Sequence, residues 1–111
     1  MKVSEIIEKT GFEVLNEGAD KDSDKVFCCD LLSIAMSKAP AGCTWVTIMG
    51  NVNSVAVCVL TEVSLLVLAE GICPDVVTLE KAKSAGVTML RTELPVFDAA
   101  LIVHNLISQG A

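Results

Sequence analysis

The sequence predicts an α/β domain of three layers, a mainly parallel sheet of about five strands with helices on both faces. Three observations predict it. Short β-branched apolar runs alternate with segments of helical pattern, which implies crossover connections between parallel strands. One run, Ser64-Leu65-Leu66-Val67-Leu68, is apolar almost throughout, as a strand covered on both faces must be. No charged residue occurs from Ala39 to Thr61, so the centre of the chain belongs in the core or partly at a subunit interface. The 111 residues make one domain, and with 52% apolar residues that domain can bury a sizeable core.

Val3 to Thr10 reads as a short helix, with Ser4 as its N-cap, Ile6 and Ile7 on its apolar face, and Gly11 as its stop. Phe12-Glu13-Val14-Leu15 is a strand. Asn16 to Lys25 is polar and turn-rich, an exposed loop without the spacing of a calcium-binding hand. Val26-Phe27-Cys28-Cys29 is a second strand. Asp30 caps a helix from Leu31 to Lys38, which ends before Pro40-Ala41-Gly42. Thr44 to Met49 is a β-branched strand between glycines. Gly50-Asn51-Val52-Asn53-Ser54 turns into a helix from Ser54 to Thr61. The Val residues there are poor helix formers, but the segment lies between two clearer strands and has to cross over. After the Ser64–Leu68 strand and the Ala69-Glu70-Gly71 exit, Pro74 and Asp75 open a helix to Ala85, stopped by Gly86. Val87 to Leu90 is the fifth strand. Pro95 opens a last helix through Ile107, and Gly110-Ala111 is the chain's frayed end.

Composition excludes several functions. Lys and Arg number 8 against 14 Asp and Glu, a net charge of −6. Such a chain lacks the basic footprint that phosphate backbones require. It has no Tyr and one Trp, too few aromatics for a base-stacking surface. The most apolar stretch, Ser54 to Ala69, is shorter than the roughly 20 residues of a membrane span and has no basic flank for a peripheral helix. Five cysteines, an odd number, and an N-terminus without an apolar leader segment point to a cytoplasmic protein with reduced thiols. No Cys-x-x-Cys occurs, so no metal or iron–sulfur site and no cofactor is expected.

Ligands of open α/β sheets bind beyond the carboxyl ends of the strands. Here those ends are Cys29-Asp30, Met49-Gly50-Asn51-Val52-Asn53, Ala69-Glu70-Gly71 and Arg91-Thr92. The candidate ligand-binding residues are therefore Asp30, Gly50, Asn51, Asn53, Glu70, Gly71 and Thr92. Gly50 permits close backbone approach or a positive φ, and Asn51 and Asn53 offer uncharged donors and acceptors. A plainer reading has Gly50 making the turn while one Asn caps the helix. Asp30 is an N-cap or a ligand, and Arg91 is an exposed strand-end residue or an anion contact. No catalytic set emerges. The single histidine, His104, lies on the last helix with nothing in the sequence to bring it near Cys28 or Cys29, as a Cys–His nucleophile requires. No Gly-x-Ser-x-Gly, P-loop or Gly-x-Gly-x-x-Gly occurs.

Met1-Lys2-Val3-Ser4-Glu5-Ile6-Ile7, Phe12-Glu13-Val14-Leu15, Cys29-Asp30-Leu31-Leu32-Ser33 and Trp45 to Asn53 together resemble stand-alone DRTGG-domain proteins of bacteria, over nearly the whole chain. The resemblance implies a fold related to the N-terminal domain of HPr kinase/phosphorylase and of Mur ligases. It implies an accessory or regulatory module without a reaction of its own. The two pieces that name the family fall at Gly50-Asn51-Val52-Asn53 and Ala69-Glu70-Gly71. Here the Asp-Arg is replaced by an Asn-containing segment, and one Gly of the second piece remains.

The expected function is a non-catalytic regulatory or interaction module. It would form a homodimer or bind a protein partner, and would sense a small polar metabolite at the strand-end loops, with no nucleic-acid or membrane partner. The alternatives are a small enzyme with a Cys nucleophile or a phosphate-handling loop, and an accessory subunit of a redox or signalling complex that uses the acidic 16–25 loop as a contact.

Overall fold

The structure, a computed structural model, describes residues 1–110; Ala111, read above as part of the chain's end, lies outside the described residues. The elements run α1 (Val3–Thr10), β1 (Glu13–Asn16), β2 (Lys25–Cys28), α2 (Leu32–Lys38), β3 (Cys43–Thr47), α3 (Val52–Thr61), β4 (Leu65–Leu68), α4 (Val76–Ala85), β5 (Met89–Arg91) and α5 (Val96–Gln109). They form one five-stranded sheet in the order β1-β5-β4-β3-β2. β2 to β5 are mutually parallel, and β1 closes the far edge antiparallel to β5. The predicted fold class is the observed one.

Side-chain alternation divides the core into two layers. Cys43 and Trp45 of β3, Leu66 and Leu68 of β4 and Met89 of β5 meet Ala35, Val55, Val57, Cys58 and Ala82 from α2, α3 and α4. Val46, Leu65, Val67 and Leu90 point the other way, onto Val3 and Ile6 of α1 and Ala99, Ala100 and Val103 of α5. Every residue of β3 and β4 is buried. Trp45 is fully enclosed, and its indole N–H donates to the Cys29 carbonyl at 3.0 Å. The uncharged centre of the chain is thus core, and burial explains why a Val-rich segment is helical. Val55, Val57 and Cys58 of α3 are all buried, and tertiary packing overrides their propensity.

The path from β2 through α2, β3, α3, β4 and α4 to β5 moves one strand sideways at each step. Crossovers of one hand then place α2, α3 and α4 on the same face. Only α1 and α5 cover the other.

Three local expectations are corrected. Ser4 is not the cap of α1. Lys2 occupies that position, while the Ser4 N–H and hydroxyl both donate to the Asp20 carboxylate, at 2.9 and 2.8 Å. The acidic 16–25 segment is consequently tied down: Asp22 bridges to Lys2 at 3.6 Å, and Ser23 is buried on Thr44 at 2.7 Å. Asp30 does not cap α2, whose N-cap is Leu31 without a side-chain bond. α3 begins at Val52, so Val52, Asn53 and Ser54 are helical rather than part of a turn.

Gly18 lies directly against the carbonyl of Gly86, where the C-terminal end of α4 meets the exit of β1. A methyl group at position 18 overlaps backbone that cannot swing aside. Gly18→Ala is expected to lower stability by about 1–3 kcal/mol, as overpacking does, read as a lower urea midpoint with an unchanged slope. The two bonds from Ser4, backbone first, hold the Asp20 carboxyl below its ordinary value of 3.8. A depressed carboxylate adds stability above its unfolded pKa and loses it as pH falls through the folded value. Asp20→Asn should therefore lower the melting temperature at pH 7 and leave it nearly unchanged well below pH 3.8, in melts recorded across that range.

Candidate functional site

The carboxyl ends of β2, β3, β4 and β5 lie side by side along one border, since these strands are neighbours and parallel. The predicted residues share that border, and most of them are engaged in holding its loops. Asp30, just past β2, accepts from the Thr47 hydroxyl at 2.7 Å and the Ile48 N–H at 3.0 Å. It ties the β2 exit to the β3 exit. Gly50 does provide a close approach, but to the chain itself: a Cβ there would stand 3.0 Å from Ile72 Cγ2 and 3.1 Å from Leu68 Cδ1. Asn51 caps α3, its side chain accepting from the Ser54 N–H at 3.1 Å, and the Ser54 hydroxyl donates to the Met49 carbonyl at 2.6 Å. The capping alternative raised for this loop is the one that holds for Asn51.

Glu70 and Gly71 both take left-handed backbone, φ 58° and 71°, a conformation costly for Glu and free for Gly. The Glu70 N–H donates to the Leu94 carbonyl at 2.8 Å and the Gly71 N–H to the Thr92 carbonyl at 2.9 Å. Thr92 is nearly buried and accepts from the Leu94 N–H at 3.2 Å. Arg91 locks this corner. Its guanidinium donates to the Gly71 carbonyl at 2.9 and 3.2 Å, to Glu13 at 3.1 Å and to Glu93 at 2.9 Å. A guanidinium so occupied is not free for an anionic ligand. Two exposed candidate side chains, Asn53 and Glu70, make no hydrogen bond among the described residues. They stand at the border with exposed Leu31, Ile48, Val52, Val76 and Val77.

One concavity lies elsewhere. An open groove of about 270 Å³ runs between α5 and β2, lined by Val26, Cys28, Phe97, Ala100, Leu101 and His104. It puts His104 and Cys28 on the lining of one groove, which no motif in the sequence indicates. Val26 and Cys28 have the same parity on β2, and a final helix returning over the first parallel strand was the signal available. The two residues make no hydrogen bond among the described residues. Burial, and then the Asp30 carboxylate, push the Cys28 thiol up from 9.0, opposite to what a nucleophile needs. Burial raises Cys43 to about 11 and Cys58 to about 12. Among the described residues, no group of three or more His, Cys, Asp or Glu is disposed to hold a metal ion. No described helix is long and apolar enough to cross a membrane.

No protein family matches the chain, and no curated protein matches it. Solved structures do. The CBS and DRTGG domains of the regulatory region of Clostridium perfringens pyrophosphatase, solved with the activator diadenosine tetraphosphate, are similar with a TM-score of 0.72. The likeness covers 92% of this chain and 46% of that one, at 21% identity. The chain thus spans just under half the length of that neighbour. At this identity the likeness speaks to the fold.

Removing the Asn51 cap is expected to cost about 1 kcal/mol. Asn51→Ala should lower the urea midpoint accordingly, and Asn51→Asp, which keeps the acceptor, should retain most of it.

Proposed function

We propose that the chain is a DRTGG-type regulatory or interaction module, non-catalytic, that takes a small polar metabolite at the strand-end border. It would act through association with a second copy or a protein partner. One observation carries this reading. At the border the groups capable of chemistry are committed to structure, Arg91 to three partners and Asp30 to Thr47 and Ile48, whereas Asn53 and Glu70 are exposed. Such a surface can hold a ligand by hydrogen bonds and apolar contact but has no acid–base pair or activated nucleophile to transform it. The pyrophosphatase neighbour, a regulatory region solved with a dinucleoside tetraphosphate activator, supports the regulatory half of the reading. It also makes adenosine nucleotides the first ligands to try. Candidate contacts are Asp30, Gly50, Asn51, Asn53, Glu70, Gly71 and Thr92. Those that brace the loops would contribute by placing backbone N–H and C=O groups.

That Cys28 and His104 line one groove favours one competing reading, a thiol enzyme. The raised Cys28 pKa argues against it.

A thermal-shift screen with adenosine nucleotides, phosphorylated metabolites and divalent cations tests the proposal. A ligand at 100 times its dissociation constant adds about 2.7 kcal/mol, a shift on the order of 10 °C in a domain of this size. Asn53→Ala and Glu70→Ala should abolish the shift with the unliganded melt unchanged. No shift with any of these compounds, or labelling of Cys28 faster than a free thiol at neutral pH, would defeat the reading.

A further inference from the structure

The two edges of the sheet are built differently. β1 carries an irregularity in its register between Val14 and Asn16, and a bulge of this kind blunts an edge against further pairing. β2 has none. It keeps regular register with β3 from Lys25↔Cys43 to Cys28↔Val46, contains no proline, and pairs with no other strand. Half of its backbone groups therefore face outward. Apolar side chains flank this open edge on both faces. On one side lies the groove between β2 and α5, with Phe97 70% and Leu101 42% exposed. On the other, α2 is the last helix of its layer, with Leu31 exposed at its N-cap and Ile34 exposed within it, and half-buried Phe27 packs against the same core layer.

We propose that β2 is the seam of a two-fold homodimer, pairing antiparallel with β2 of a second copy about Phe27 and joining two five-stranded sheets into one. This rests on the association proposed above and names the surface that carries it.

Self-complementarity identifies the occupant as a second copy. A two-fold axis normal to the sheet keeps like faces together and sets residues of equal parity opposite one another. Centred on Phe27, it pairs Phe27 with Phe27 on the α2 face and Val26 with Cys28, twice, on the α5 face. All three cross-strand pairs are apolar. Asp30 is turned inward onto Thr47 and Ile48 and leaves the seam free of its carboxylate. The helices fit as well. α5 lies over β2 and β3, and strands are about 4.8 Å apart. The two α5 axes then stand roughly 10 Å apart across the seam, the spacing of packed helices. Each groove opens toward Phe97 and Leu101 of the other copy. A foreign strand would satisfy the backbone edge but bring no helix to close the groove; a second copy brings both.

Three measurements decide it: light scattering on the purified chain at micromolar concentration, the same on Phe97→Glu, and oxidative cross-linking of V26C in a Cys73→Ser background. The expected results are a particle of twice the chain mass and at least a tenfold weaker dimer for Phe97→Glu, with its thermal melt unchanged at dilutions where both chains are monomeric. V26C should give an intermolecular disulfide from position 26 to Cys28, identified by peptide mass and lost on adding Cys28→Ser. A dimer that ignores Phe97→Glu and forms no 26–28 link overturns the seam and leaves association intact. A strict monomer up to about a hundred micromolar overturns both.

Discussion

The structure depends on burying β3 and β4 on both faces. All nine of their residues, five in β3 and four in β4, are shut off from solvent. A strand in that position can carry no charge and needs its backbone paired on both sides. The neighbours β2 and β5 supply the pairing, and helices must supply both covers. Polar side chains in these strands survive only with partners, as Thr44 does on Ser23 and Thr47 on Asp30. Polarity is displaced to the strand ends, where the chain reverses and water is available.

At those ends the polar residues first serve the loops. Asp30 joins two exits, Asn51 caps a helix, and Arg91 gathers Gly71, Glu13 and Glu93. What remains is a hydrogen-bonded border with left-handed backbone at Glu70 and Gly71, exposed apolar side chains and the exposed polar groups of Asn53 and Glu70. Preorganised loops lower the cost of binding a ligand. The buried thiols of Cys43 and Cys58 are packing residues, their pKa values raised by burial first.

The fold was legible because its determinants are local. Uninterrupted apolar runs, glycine stops and the uncharged stretch from Ala39 to Thr61 located all five strands and all five helices, with boundaries moved by one or two residues at most ends. The border followed, since parallel strands put their exits on one side. The uses of individual side chains did not follow, because they depend on partners distant in sequence. Asp30 looks like an N-cap when only Leu31 and Leu32 are in view; its true partners are Thr47 and Ile48. Ser4 is drawn from its helix by Asp20. Gly50 suggests room for a ligand until Ile72 and Leu68 are found filling it.

The groove was illegible for a topological reason. Had the winding reversed midway, helices would divide evenly between the faces and the natural crevice would open at the reversal, beyond the strand ends. Here β2 to β5 wind in one direction, three helices crowd one face, and two are left for the other. α5 packs over both β2 and β3, and Val26 and Cys28 of the edge strand line an open groove with Phe97 and Leu101. The sheet's edge thus carries an apolar concavity in addition to the apolar residues exposed at the strand ends. The two proposed partners accordingly use different surfaces: a small molecule at the hydrogen-bonding border, and a second copy at the edge, where apolar side chains flank β2.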